Sequence, residues 1–286
     1  MELVRPTSLD ELADGDLANG AVFIWGGTEV VPLLYDGILR AEKLVDIRGV
    51  VPRGVDGSRI GAGTTLSELE ADPQIPDALR EACRLSGSPQ LRNMSSLGGN
   101  LLQSTRCWYW RLKYPCRLHR VGEGWGDRCH AREGEHREHA IFANDYCASA
   151  HPSDVAAALL ALGARLRTTQ RELPLAELYR LPTEQERDVV RLSPGELILE
   201  LELPPVEQSV YLKAMDRKLW AFPQVGVAAA RAGAETRIAL AGVAPIPWLL
   251  DGADGIDAAT PLPRTAWKVD VARALVRRAL AAVAAQ

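Results

Sequence analysis

Four cysteines, Cys107, Cys116, Cys129 and Cys147, cluster near the middle of a 286-residue chain whose only other cysteine is Cys83. Thiolate is a soft ligand that favours zinc or iron–sulfur clusters. Four thiolates are enough for a tetrahedral zinc ion or a cubane cluster. Their C-x8-C-x12-C-x17-C spacing matches neither the close C-x2-C pairs of structural zinc nor the run of a bacterial ferredoxin. The pattern predicts a metal site, with zinc and iron–sulfur as comparable alternatives and four unrelated buried thiols as a lesser one. His119, His130, His136 and His139 share the stretch and read as solvated or supporting groups, one of which can replace a Cys ligand. Cys83, on a predicted helix, reads as a core residue.

A second kind of chemistry is written in glycine. Ile24-Trp25-Gly26-Gly27-Thr28-Glu29-Val30 reads as a strand running into a Gly-Gly turn. Arg92 to Asn100 holds another Gly-Gly turn, with Ser95 and Ser96 before it and Asn100 after it. Glycine admits close approach of a phosphate and lets backbone N–H groups converge on it. Neither segment has the G-x-G-x-x-G spacing of a Rossmann fingerprint. Two such turns can grip one dinucleotide from two sides; the alternative is two unrelated tight turns. Third, His151-Pro152-Ser153-Asp154 precedes an Ala/Leu-rich run. Ser153 or Asp154 reads as its helix cap, and Asp154 also offers a carboxylate to a ligand.

The elements that must position these groups follow from periodicity and caps. Short βα units fill the N-terminal quarter, with strands at 21–25, 44–47 and 59–61 and a short helix starting at Val30. Thr65 with Glu68 three residues on has the spacing of a capping box, and 75–85 reads as a helix. From Gly98 to Ser149 periodicity gives way to aromatics, Gly, Arg and Cys, and a stretch that long needs a function or a staple. A helix from Ser153 to about Leu162, strands at 165–169 and 196–203, then three strands at 211–215, 225–230 and 237–243 and a helix over 270–284 complete the chain.

A chain 47% hydrophobic with a net charge of −4 can bury a real core and carries no basic field for nucleic acid. The N-terminus lacks an apolar signal core and no apolar run is long enough to cross a bilayer. The expectation is a soluble cytoplasmic protein with no membrane and no nucleic-acid partner.

Taken together, and in this order, the motifs resemble the FAD-binding medium subunits of the molybdenum hydroxylases, the group of xanthine dehydrogenase, carbon monoxide dehydrogenase and aldehyde oxidoreductases. Trp25-Gly26-Gly27-Thr28-Glu29 looks like the family's Ala-Gly-Gly-Thr-Asp loop, with Glu29 where Asp is usual. Leu91 to Asn100 looks like its Ile-Arg-Asn-x-(Ser/Thr)-x-Gly-Gly-Asn loop, and Gly242-Val243-Ala244-Pro245 with Pro247 like its Gly-Val-Ala-Pro-x-Pro turn. The Cys-rich stretch, about 101–149, is similar to the insertion of a branch that includes aldehyde oxidoreductase and 4-hydroxybenzoyl-CoA reductase, where four Cys hold a [4Fe–4S] cluster.

The resemblance implies an α+β fold. A PCMH-type FAD-binding domain of two α/β subdomains would span 1–206, followed by a small C-terminal domain of a three-stranded sheet plus helices over 207–286. It implies that Ile24 to Val30 and Ser96, Leu97, Gly98, Gly99 and Asn100 wrap the FAD pyrophosphate. Asp154 would contact the flavin, Ile198 would pack on the ring system and Lys213 would approach the isoalloxazine. Cys107, Cys116, Cys129 and Cys147 would hold [4Fe–4S]. The implied partners are a molybdopterin-containing large subunit and a [2Fe–2S] small subunit, in a heterotrimer or a dimer of heterotrimers. Aldehyde, purine or aromatic-CoA substrates would be oxidised outside this chain, which supplies no catalytic residue. Two other classes stay open: a stand-alone flavin oxidase and a zinc-stapled assembly protein.

Overall fold

The computed structural model describes residues 1–12, 21–122 and 124–284. Its first layer is a parallel sheet of β1 (Glu2–Val4), β2 (Ala21–Ile24) and β3 (Lys43–Asp46), in the order β1-β3-β2, with α1 (Val30–Tyr35) leaving the glycine segment after β2. β3 ends one residue before the expected Ile47, because the Asp46 carboxylate accepts from Arg48 N at 3.2 Å and starts a 3₁₀ turn. β4 (Val55–Asp56) and β5 (Arg59–Gly61) open a second sheet. Four short helices follow: α2 (Leu66–Ala71), α3 (Asp77–Leu85), α4 (Pro89–Met94) and α5 (Leu97–Leu101). The capping box of α2 forms as expected, Thr65 Oγ1 accepting from Glu68 N and the Glu68 carboxylate from Thr65 N. α3 starts two residues later than periodicity predicts, since Pro76 keeps Ile75 out of helical conformation.

The cysteine-bearing stretch is built from α6 (Trp108–Arg111), the hairpin of β6 (Arg120–Val121) and β7 (Gly124–Trp125), and a 3₁₀ turn at His130–Arg132. Then come α7 (Asp154–Leu162), β8 (Arg165–Thr168), β9 (Glu172–Pro174) and β10 (Ile198–Glu202). The second sheet has the order β4-β5-β10-β8-β9, all antiparallel. The last part holds β11 (Gln208–Ala214), β12 (Val225–Ala232), β13 (Glu235–Ala241), β14 (Trp248–Leu250) and α8 (Trp267–Val283). The expected three-stranded sheet is thus four-stranded, β11-β12-β13-β14. The fourth strand, Trp248-Leu249-Leu250, follows two prolines and is too short to show a period of two.

α7 carries the architecture. Ser153 caps it, its Oγ accepting from Ala156 N at 2.9 Å, and Gly163 ends it at φ +76°. A helix apolar on every side must be buried on every side, and all nine of its residues are. One side joins α3 and α5, and another lies on β12 and β13. β12 alternates accordingly: Ala228 and Ala230 enter the core with α7, while Val225, Val227 and Ala229 face α8 in a second core. No helix among the described residues is long and apolar enough to cross a membrane.

Candidate functional site

The two glycine segments abut. A Cβ on Gly26 would stand 1.6 Å from the Met94 carbonyl oxygen, so only glycine lets the first segment lie on the second. Gly27 turns at φ +72°, and Ser95 Oγ donates to Thr28 Oγ1 across the seam at 3.1 Å. The second segment is not the turn that its sequence predicts. Gly98 and Gly99 form the first turn of α5, with Ser96 as cap accepting from Gly99 N at 3.1 Å. Gly98 N donates to Ala62 O at 2.8 Å and the residue lies flat against Ala62. Over this seam opens a cavity of about 230 Å³ lined by Thr28, Glu29, Gly99, Asn100, Gln103, Arg106, Asp154 and, from the β11–β12 connection, Trp220 and Phe222.

Asp154, at the start of α7, is wholly buried and richly bonded. Lys213 Nζ donates to its Oδ2 at 2.8 Å and to Leu85 O at 3.0 Å. Tyr211 Oη donates to Oδ1, and Ser86 Oγ lies 3.3 Å from Oδ2. Burial pushes the Asp154 carboxyl above the usual carboxylate range, against the pull of the Lys213 ammonium and the hydrogen bonds from Lys213, Tyr211 and Ser86. Removing one partner of such a pair leaves the other as an uncompensated buried charge, a loss of roughly 3–5 kcal/mol. Gly226 faces Tyr211, where a side chain would strike the phenol oxygen.

Beside this cavity lies a second, smaller one. Cys107, Cys116, Cys129 and Cys147 all line it, with Trp110 and Leu118. Ala148 N donates to Cys129 Sγ at 3.5 Å, and Cys147 Sγ lies 3.3 Å from Ser149 Oγ. The neighbouring Cys147 thiol holds the Cys129 thiol below the usual thiol range, while burial pushes Cys107 up to about 11. Among the described residues no three His, Cys, Asp or Glu side chains converge on a single ion position.

Arginines hold the loop around these thiols. Arg117 donates to the carbonyls of Asp127 (3.2 Å) and Tyr146 (3.0 Å), Arg132 to Asn144 O (2.8 Å), and Arg187 to Arg117 O (3.0 Å) and Gly126 O (3.1 Å). Two of the histidines are not solvated. His136 Nδ1 bonds Gly134 O at 2.8 Å and its Nε2 accepts from Arg264 N at 3.1 Å. His139 is buried with Nε2 3.2 Å from Cys107 Sγ, and burial, helped by the Lys268 and His136 charges, lowers it to about 4.

Residues 1–206 match the family described as the FAD binding domain in molybdopterin dehydrogenase. The chain belongs to this family. As an FAD-binding subunit of a molybdenum-dependent dehydrogenase it is an oxidoreductase component. It is 36% identical over 256 residues, 82% of this chain and 78% of the other, to the aldehyde oxidoreductase FAD-binding subunit PaoB of Escherichia coli. It is 35% identical over 104 residues to the putative xanthine dehydrogenase FAD-binding subunit XdhB of the same organism, about a third of each chain (33% and 34%). In fold it matches a chain of carbon monoxide dehydrogenase from Hydrogenophaga pseudoflava, with a TM-score of 0.69, 21% identity, and coverage of 99% of this chain and 96% of that one.

Within this FAD-binding subunit, Thr28, Glu29, Gly99, Asn100 and Asp154 reach the first cavity. Ile24, Trp25, Gly26, Gly27 and Val30 stand behind Thr28, and Ser96, Leu97 and Gly98 are buried behind Gly99. Lys213 is neither solvated nor on the cavity wall: its side chain is fully buried and it holds Asp154 in place. Ile198 lies in the main core, away from the cavity lining. Cys83 is a core thiol of α3, as expected. Arg106, Trp220 and Phe222 were not legible as lining residues. Leu219-Trp220-Ala221-Phe222 offers only a short aromatic-rich break before a strand.

Proposed function

We propose that this chain is the FAD- and [4Fe–4S]-carrying electron-transfer subunit of a molybdenum hydroxylase of the aldehyde oxidoreductase kind, working with a molybdopterin-containing large subunit and a [2Fe–2S] small subunit. The similarity to an aldehyde oxidoreductase FAD-binding subunit over four-fifths of the chain favours this substrate class. The observation that carries the reading is one wall with two cavities: glycine segments on one side, four thiols on the other.

The residues present fit both groups. Arg106 Nε, on the wall of the first cavity, is a buried donor with no hydrogen-bond partner among the described residues, which suits an anionic dinucleotide. The first cavity is smaller than a site for a whole ligand, which starts on the order of 300 Å³, so it takes one end of FAD while the pyrophosphate runs along the glycine seam. Gly26, Gly27 and Thr28 present backbone and hydroxyl donors to the phosphates, and Gly98 and Gly99, lacking side chains, let them approach. Asp154, fixed by Lys213 and Tyr211, orients the flavin end, and Trp220 and Phe222 keep water from it. Lys213 acts through Asp154, and Ile198 supports the fold. Four cysteines line the second cavity together, which is the ligand number that a cubane takes. Bound FAD supplies the exchange between one- and two-electron chemistry.

The test is composition. The full chain, co-expressed with its partner subunits, should contain FAD and equal amounts of non-haem iron and acid-labile sulfide, and should reduce its flavin on addition of an aldehyde. Zinc in place of iron would overturn the cluster assignment.

A further inference from the structure

Glu29 opens α1 on the flavin side, yet its carboxylate is bound to the cysteine side. Arg106 Nη2 lies 2.6 Å from its Oε2, Arg111 Nη2 2.6 Å from its Oε1, and Ser104 N donates to the same Oε1 at 3.1 Å. Arg111 Nε also donates to Thr105 O at 2.9 Å, closing the clamp on the segment that carries Cys107. All three charged side chains are largely shielded, between 16% and 28% exposed, so salt screens the pairs less than it would at the surface. Arg106 lines the flavin cavity and Cys107 lines the cysteine cavity. The partition between the two is therefore a single peptide bond thick at this point.

We propose that Glu29, through Arg106 and Arg111, couples the two cofactor sites, so that occupancy of the flavin site sets the position of Cys107 and with it the potential of the cluster. This rests on the [4Fe–4S] reading above. Glu29 and the two arginines are positioning residues: they touch the Cys107 segment and act on the cluster through it. A ligand lodged beside Arg106 competes with Glu29 for its guanidinium, and Glu29 passes that change on through Arg111 to the segment that carries Cys107. By linkage, whatever FAD does to the cluster, the cluster does to FAD by the same factor.

The experiment is an EPR-monitored redox titration of the cluster in the assembled complex, FAD-loaded and after FAD removal. The expected difference is at least about fivefold in the reduced-to-oxidised ratio at fixed poise, about 40 mV for a one-electron couple. In Glu29→Gln the FAD-dependent difference should vanish while iron stays at the wild-type level. Arg106→Gln should behave alike and serves as the second arm if Glu29→Gln loses its cluster. Glu186→Gln, which breaks an exposed ion pair with Arg180, should keep the full difference. An iron-replete wild type whose midpoint ignores FAD, or a Glu29→Gln protein that keeps the full shift, overturns the coupling alone. Wild-type protein without iron and sulfide overturns the cluster reading and the coupling with it.

Discussion

Around the first cavity the chain fits by backbone, Gly26 lying on the Met94 carbonyl and Gly98 on Ala62. Around the cysteines it fits by side chain, with guanidiniums of Arg117, Arg132 and Arg187 reaching into loop carbonyls that no strand partner satisfies. A backbone fit tolerates no added atom. A side-chain fit tolerates changes of backbone length and spacing so long as the arginines still reach. This is why glycine can mark the first site in a sequence while the second is marked only by its cysteines and by an unusual wealth of arginine.

That contrast can be broken from either side. Cys129→Ser should remove the whole iron signal while leaving FAD bound, read from metal analysis and the flavin spectrum; full iron in the variant would remove Cys129 from the ligand set. Gly26→Ala places a Cβ against the Met94 carbonyl, backbone that cannot swing aside. It should weaken FAD binding at least tenfold, about 1.4 kcal/mol, with iron unchanged; equal loss of both would show that the two sites stand or fall together.

Two smaller effects sharpen the comparison. His151 lies between the regions, buried and stacked edge-on against Tyr179, and burial followed by the Arg106 charge lowers it to about 3. As pH falls the unfolded chain takes up this proton first, near 6.5. The contribution of His151 is therefore complete above pH 6.5 and drains away between there and pH 3, by about 1.4 kcal/mol per unit. Urea titrations of wild type and His151→Asn across that window should differ in slope by that amount. Thr65→Ala removes the cap of α2, next to Leu66 of the first cavity wall, and should cost about 1 kcal/mol with iron retained, as thermal melts and metal analysis will tell.

Much of this was legible in the sequence because the signals were local. The capping box at Thr65, the Ser153-Asp154 start of α7 and the strand at Arg59 depend on neighbours a few residues away. The misses depended on distant ones. Gly98-Gly99 is helical because Gly98 packs on Ala62 and donates to its carbonyl, which nothing in Ser-Leu-Gly-Gly-Asn announces. Lys213 reads as a residue near the flavin through the resemblance alone; its bond to Asp154, 59 residues away, is not visible in the sequence. His136 and His139 read as solvated or supporting groups; the contacts that bury them come from Arg264 and Cys107. Trp220 and Phe222 joined the cavity only once the β11–β12 connection had folded over it.

The alanine helix α7 has a practical corollary for anyone trimming this polypeptide. It is sandwiched, one flank on α3 and α5 and the other on β12 and β13. A fragment ending at Val206 would leave a stripe of its methyl groups facing water, next to a buried aspartate stripped of Lys213 and Tyr211. Such a fragment should be a poor stand-in for the whole subunit, prone to self-association and short of the lysine that steadies its flavin wall.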